Sequence, residues 1–253
     1  MKVSVIIPVY NEEKYIPECL ESLFSQTYKE AEVLVADDGS TDKTASIIKK
    51  YPVKLYQRPH LGVSEQCNFL AKKARGKILI KLDADMYYDK NYIKKIIGPI
   101  LRGKTIATFS REEYVANPEN VWSKCWSINS GLPIDKRIPE NELDEAWTFR
   151  AILKKVFLNV GGYDNTLGYG EDDRSLLVKL GRPAAIPAPG AISYHYNPSS
   201  LSEVFFSSRF IGRGEIYRKR IIRGLLIHSF LNSVRAGIYG SLKHKIPRYL
   251  FFR

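Results

Sequence analysis

Short apolar runs alternate with longer stretches of helical period through the first third of the chain. Val3-Ser4-Val5-Ile6-Ile7-Pro8-Val9 reads as a buried strand that breaks into the polar turn Tyr10-Asn11-Glu12. Glu13 to Phe24 places Ile16, Cys19, Leu20, Leu23 and Phe24 near i, i+3, i+4, i+7 spacing, which predicts a helix packed on a sheet. Glu32-Val33-Leu34-Val35-Ala36 predicts a second strand, and Thr41 to Tyr51 a second helix with Ala45, Ile47 and Ile48 inward and Ser40 or Thr41 as its cap. Val53 to Tyr56 predicts a third strand, Val63 to Ala74 a third helix and Lys77 to Asp85 a fourth strand with its acidic end. Such alternation predicts an α/β fold with a mainly parallel sheet covered by helices, and open sheets of this kind bind ligands beyond the carboxyl ends of their strands.

Acidic residues sit at that edge. Lys77-Ile78-Leu79-Ile80-Lys81-Leu82 runs into Asp83-Ala84-Asp85, and the second strand runs into Asp37-Asp38-Gly39-Ser40-Thr41-Asp42. In an extended segment residues i and i+2 project the same way, so Asp83 and Asp85 are placed to share one Mg²⁺ or Mn²⁺. A polar strand end or a helix cap explains an isolated triplet equally well; two acidic strand ends in one chain favour the site.

Taken in order, Val5 to Glu12, Asp37 to Asp42, Asp83-Ala84-Asp85, and Gly161-Gly162-Tyr163-Asp164 followed by Gly170-Glu171-Asp172-Asp173 resemble the inverting family 2 glycosyltransferases. The resemblance spans about residues 1 to 195 and implies the Rossmann-like GT-A fold, which binds nucleotide-diphospho-sugars. It implies that Pro8, Tyr10 and Glu12 wall the nucleotide pocket and that Asp38 hydrogen-bonds the base. A carboxylate accepts from uracil or guanine alike, so a UDP-sugar and a GDP-sugar both remain as donors. The resemblance further places Asp83 and Ala84 with the nucleotide, Asp83 within reach of the metal, and Asp85 on an ion that bridges the two phosphates. His195, after a predicted strand, is similar in position to a late histidine that ligates metal in several GT-A enzymes; a structural histidine is the alternative. An imidazole beside carboxylates suits Mn²⁺ better than Ca²⁺. One departure stands out: Gln66-Cys67-Asn68 occupies the place where family members often carry Ala-Arg-Asn. Arg209, with Arg213, is a candidate to supply the missing guanidinium to the diphosphate.

The implied chemistry follows from charge. A departing nucleotide diphosphate gains negative charge that a divalent cation stabilises, while a carboxylate takes the acceptor hydroxyl's proton during attack on the opposite face of the sugar. Glu171, Asp172 and Asp173 are the candidate bases, and the resemblance selects Asp172. The same acids also suit a helix N-terminus ahead of Ser175 to Leu180.

Composition changes the picture mainly at the end of the chain. The 253 residues are 44% hydrophobic and 26% charged, ordinary for a globular protein. Cys19, Cys67 and Cys125 have neither disulfide nor metal spacing, and Val3 to Val9 is too short for a signal peptide. From Val204 to Arg253, eleven Lys or Arg stand against the single acid Glu215, so this segment holds +10 of the net +12. Phe205, Phe206, Leu225, Leu226, Phe230 and Leu231 interleave with those cations. The pattern predicts basic amphipathic helices that lie on an anionic membrane surface, with no spanning helix. A helical extension packed on the body is the alternative, and nucleic acid is not expected as a partner because no nucleic-acid module is visible. The aromatic Phe251-Phe252-Arg253 also suits a chain that continues toward a membrane.

We therefore expect residues 1–110 as a nucleotide-sugar half, 111–203 as the acceptor and catalytic half of the same domain, and 204–253 as a basic helical extension. Trp122, Trp126 and Trp147 are candidates to stack on sugars or to pack in the core, and Pro133 to Asn141 is a candidate lid. The expected reaction is transfer of a sugar to a hydroxyl of a membrane-proximal glycan or lipid-linked acceptor, by a protein on the cytoplasmic face. A polyprenyl-phosphate acceptor and a catalytically silent nucleotide-sugar-binding scaffold are the alternatives. A nucleotidyltransferase is disfavoured because no Gly-rich phosphate loop follows the first strand.

Overall fold

The computed structural model describes residues 2–138, 149–167, 171–181, 185–211 and 230–252. Their contacts divide the chain into two units. The first takes Met1–Glu113, Glu140–Thr166 and Asp172–Tyr194; the second takes Tyr114–Pro139, Leu167–Glu171 and His195–Arg253. The division is interleaved, whereas the sequence suggested consecutive segments.

The first unit is built on β1 (Val3–Val9), α1 (Ile16–Phe24), β2 (Ala31–Asp37), α2 (Thr44–Ile48), β3 (Lys54–Gln57), α3 (Val63–Lys73) and β4 (Ile78–Lys81). β5 (Met86–Tyr88), α4 (Tyr92–Leu101) and β6 (Ala107–Phe109) follow. Beyond β7 (Glu112–Val115) and α5 (Val121–Asn129) come β8 (Ala151–Leu153), α6 (Lys154–Asn159), α7 (Glu171–Leu180), β9 (Ala185–Pro187) and β10 (Ile192–His195). A seven-stranded sheet has the order β3-β2-β1-β4-β8-β6-β9, and β5-β10-β7 form a three-stranded one. β1 pairs in parallel with both β2 and β4, while β8 runs antiparallel between β4 and β6.

β1 is buried along its whole length, which is why it reads as a continuous apolar run rather than an alternating one. Val3, Val5, Ile7 and Val9 join a core cluster with Ile16 and Leu20 of α1 and Ile93, Ile96 and Ile97 of α4. Ile6 faces the other cluster, with Leu70 and Ala71 of α3, Phe157 of α6 and Leu176 of α7. Truncating an aliphatic side chain in either cluster to Ala would cost about 2–5 kcal/mol. On the same face of β1 as Ile6 lies Ser4, fully buried, whose hydroxyl donates to Glu32 at 2.6 Å and accepts from Gly76 N–H at 2.7 Å. A Cβ on Gly76 would meet Ser4 N at 2.5 Å, so only glycine allows β4 to enter the sheet here.

Three local expectations need correction. α2 starts at Thr44, and neither Ser40 nor Thr41 caps it; Asp42 instead accepts Thr44 N–H at 2.9 Å and Glu13 N–H at 3.1 Å. That exchange also holds residues 12–15 in a turn, so α1 begins at Ile16 rather than at Glu13. β4 ends at Lys81, and Ala84 and Asp85 lie in a turn. The i, i+2 argument for a shared direction of Asp83 and Asp85 therefore does not apply.

In the second unit the described helices are α5, α8 (Leu201–Ile211), α9 (Phe230–His244) and a short 3-10 helix at Pro247–Phe252. The helical extension expected there includes residues 212–229, outside the described residues. No described helix is long and apolar enough to cross a membrane.

Candidate active site

The loops after β1 and β2 are laced together. Asp38 N–H donates to Val9 O at 2.8 Å, Asn11 N–H to Ser40 Oγ at 2.9 Å, Thr41 N–H to Asn11 Oδ1 at 2.8 Å and Glu12 N–H to Thr44 Oγ1 at 2.8 Å. Asn11 sits at φ 53°, a left-handed conformation that Asn tolerates and that turns the chain sharply after Tyr10. Pro8 is buried in β1, Glu12 is half-buried and Tyr10 is exposed.

Asp38 is 3% exposed, and its carboxylate is held by the segment that leads into α3. Leu61 N–H donates to it at 2.7 Å, Gly62 N–H at 3.0 Å, and the Gln66 side-chain amide also donates. His60 Nδ1 lies 2.9 Å from the carboxylate and 3.1 Å from the Asp38 carbonyl. Both neighbours accept, so Nδ1 carries a proton and donates. The His60 ring lies 4.2 Å from the Tyr10 ring, tilted by 34°. Gln66 also accepts from Arg58 Nη1 at 2.7 Å, and the guanidinium lies over the Phe69 ring.

The turn after β4 has a different environment. Arg150, nearly buried, donates from Nη1 to Asp83 Oδ2 at 2.5 Å and from Nη2 to Glu113 at 3.2 Å. Lys81, 10% exposed, lies 3.6 Å from Asp83 and 3.7 Å from Asp173 in the first turn of α7. Burial alone would lower the pKa of both cations, but Asp173 and Asp83 carry Lys81 well above its ordinary value. Asp83 and Glu113 do the same for Arg150. Burial, then the fields of Asp85, Asp83 and Glu12, push the Cys19 thiol far up. Asp85, Asp83 and Glu12 thus all act on Cys19, and Ala84 between the two aspartates is 4% exposed.

The glycine motif has a local reason as well. Gly161 and Gly162 adopt φ of 81° and 69°, and a Cβ on Gly162 would collide with Asn68 Oδ1. That oxygen accepts Tyr163 N–H at 2.9 Å while Asn68 Nδ2 donates to Tyr163 O at 2.9 Å. The motif locks the segment after α6 onto α3.

The family model for glycosyl transferase family 2 matches residues 4–161, which carry all of these strand ends. The chain belongs to that family. Poly(ribitol-phosphate) beta-N-acetylglucosaminyltransferase TarS of Staphylococcus aureus is 41% identical over 102 residues, 37% of this chain and 18% of TarS. A Methanococcus voltae enzyme, dolichyl N-acetyl-alpha-D-glucosaminyl phosphate 3-beta-D-2,3-diacetamido-2,3-dideoxy-beta-D-glucuronosyltransferase, is 30% identical over 184 residues, 69% of this chain and 54% of that one. The chain therefore spans about half or less of the length of these curated relatives. Among solved structures, TarS 1–349 in complex with UDP-GlcNAc superposes with a TM-score of 0.63 at 20% identity, covering 89% of this chain and 73% of that one. The mannosyltransferase PcManGT from Pyrobaculum calidifontis, in complex with GDP-Man and Mn²⁺, gives 0.62 at 20% identity, covering 88% and 64%. The expected GT-A fold is thereby established.

Pro8, Tyr10, Glu12, Asp38, Asp83, Ala84 and Asp85 all fall in the first unit. His195 and Arg209 fall in the second. His195 is half-buried and its carbonyl accepts Ala116 N–H at 2.9 Å; Arg209 is exposed on α8. Asp172 lies on α7, but its side chain is outside the described atoms, as are Trp147 and Arg213 altogether. Trp122 and Trp126 are half-buried on α5, with the Arg248 guanidinium 5.8 Å from the Trp122 ring centroid. Hard carboxylate oxygens at the end of β4 fit Mg²⁺ or Mn²⁺. No three described His, Cys, Asp or Glu side chains form a ready ligand set. An ion held there would take part of its shell from the donor's phosphates and water.

Sequence reading gave no role to His60, Lys81, Glu113 or Arg150. For Lys81 a signal existed: a lysine inside an apolar strand, two residues before an aspartate, marks a buried ion pair.

Proposed function

We propose that this glycosyltransferase moves one sugar, with inversion, from a UDP- or GDP-sugar to a hydroxyl on a membrane-proximal glycan or lipid-linked acceptor. The observation that carries the reading is the gathering, in one unit, of the Tyr10–His60–Asp38 wall and the Asp83–Asp85 turn at the carboxyl ends of strands flanking or including β1. Pro8, Tyr10, Glu12, Asp38 and Ala84 would enclose the nucleotide, with His60 extending the wall that Tyr10 begins. Asp85, aided by Asp83 and by His195, would hold Mn²⁺ or Mg²⁺, which when bound neutralises charge on the leaving diphosphate. Asp172 would take the acceptor's proton, and Arg209 would approach the donor diphosphate. The complexes of TarS with UDP-GlcNAc and of PcManGT with GDP-Man and Mn²⁺ support both donor classes and the ion.

The lipid-linked acceptor is supported by the dolichyl phosphate in the name of the Methanococcus relative. Exposed Phe205 and Phe206 on α8, and Ile238, Tyr239 and Leu242 beside Lys243 on α9, support peripheral contact with an anionic membrane surface. Thermal stabilisation by a panel of UDP- and GDP-sugars with Mn²⁺, followed by nucleotide release on adding acceptor, tests the reading. Stabilisation by one donor class is expected; none with any donor would overturn it. Full activity of Asp172→Asn would favour a polyprenyl-phosphate acceptor, already ionised.

A further inference from the structure

Lys81 joins two segments that the transfer reaction needs in register. It closes a strand whose other residues, Ile78, Leu79 and Ile80, are buried and aliphatic, so its ammonium reaches charge only at the strand's carboxyl end. There it meets Asp83, in the segment that leads into the Ala84–Asp85 turn, and Asp173, in the first turn of α7, at 3.6 and 3.7 Å. Asp83 has a second cation in Arg150, at 2.5 Å, and so stays anchored without Lys81. The first turn of a helix has N–H groups with no partner inside the helix and frays unless something ties it down. An ammonium suits the tie, because its three donors can serve two carboxylates that share no plane.

We propose that Lys81 is a positioning residue: through Asp173 it holds the first turn of α7, and with it the backbone of Asp172, in register with the turn at 83–85. This rests on the reading of Asp172 as the base. Adjacent acids then divide the work, Asp173 as the anchor and Asp172 as the group offered to the acceptor. Neither Lys81 nor Asp173 needs to touch the donor, so their loss falls on turnover and not on donor binding.

The test compares wild type with Lys81→Met, Asp173→Asn and the double variant Lys81→Gln/Asp173→Asn, whose two amides can hydrogen-bond in place of the ion pair. Three quantities are read: kcat, donor KM, and hydrogen exchange of the α7 amides in the free protein. Each single substitution is expected to lower kcat about 10–100-fold through misplacement of the base, to leave donor KM within about twofold, and to speed exchange in the first turn of α7. The double variant is expected to be no worse than the weaker single, since it replaces one shared interaction. The proposal fails if Asp173→Asn leaves both kcat and α7 exchange unchanged, if the two losses multiply, or if donor KM rises as far as kcat falls. Should Lys81→Met not fold, the isosteric Asp173→Asn decides alone. A wild-type protein that neither binds nor turns over any donor defeats the functional reading instead, and the exchange measurement still decides whether the tie exists.

Discussion

Asp38 and Asp83 follow the two strands that flank β1, yet their carboxylates are held by opposite kinds of partner. Asp38 is surrounded by two backbone N–H groups, a side-chain amide and an imidazole N–H. Asp83 is bound by a guanidinium and faces an ammonium. A cradle of backbone, amide and imidazole N–H donors satisfies the acid by directed hydrogen bonds, which shapes a loop. A cationic cradle cancels the charge at the turn proposed to face the donor diphosphate, and two positive groups would otherwise be costly to bury. The comparison assigns shape to the β2 end and charge balance to the β4 end.

Asp85→Asn should have the largest effect on the β4 end. We expect kcat to fall by about 10²–10³-fold or more and Mn²⁺-linked thermal stabilisation by UDP or GDP to vanish, with little change in the melting temperature of the free protein. Stabilisation that survives would move the ion away from Asp85. Next comes Arg150→Met, which leaves Asp83 and Glu113 without their shared cation. Denaturant unfolding should show a loss of about 3–5 kcal/mol, and a neutral result would break the contrast between the two cradles.

Asp38→Asn tests the other side. The amide keeps one acceptor oxygen but turns an NH₂ toward groups that themselves donate, so a loss of about 1–3 kcal/mol is expected. Donor KM should rise with it as the His60 wall loosens; an unchanged KM would separate Asp38 from the nucleotide pocket.

Glu32, at the amino end of β2, sharpens the comparison because its cradle is mixed. Lys54 lies at 2.5 Å, Ser4 Oγ at 2.6 Å and Arg75 N–H at 2.5 Å. Burial would raise its pKa, but Lys54, Ser4 and the Arg75 amide lower it from 4.5 to about 2. Because the folded value is depressed, the stabilisation is present above the unfolded pKa and is lost as pH falls from there through about 2. Glu32→Gln should lower the melting temperature at pH 7 by about 2–4 °C, roughly 1 kcal/mol, and the difference should shrink steadily as pH falls toward 2. A constant difference across that range would refute the electrostatic account.

The strands and helices before Asp83 were legible because each announces itself within a few residues. Ile16, Cys19, Leu20 and Leu23 mark one helix face, and Val3 to Val9 is apolar at all but one position because both faces of β1 are covered. The capping of α2 was misjudged because Asp42 exchanges bonds with the loop after β1, a partner that no local rule names. The run Gln66-Cys67-Asn68 was visible as a departure, an arginine absent near Cys67, but the role of Gln66 was not. Its structural use, binding Asp38 and Arg58 together, depended on a loop that folds back over β2.

By itself the sequence determined the α/β order, the acidic strand ends and the family, because periodicity and motif spacing are properties of short stretches. Only the tertiary structure decided which charges neighbour those acids. Lys81 meets Asp173, and Arg150 meets Asp83 and Glu113, across long separations in the chain. Pairings of that kind are set by strand order and burial, where an unpartnered charge is too costly to persist.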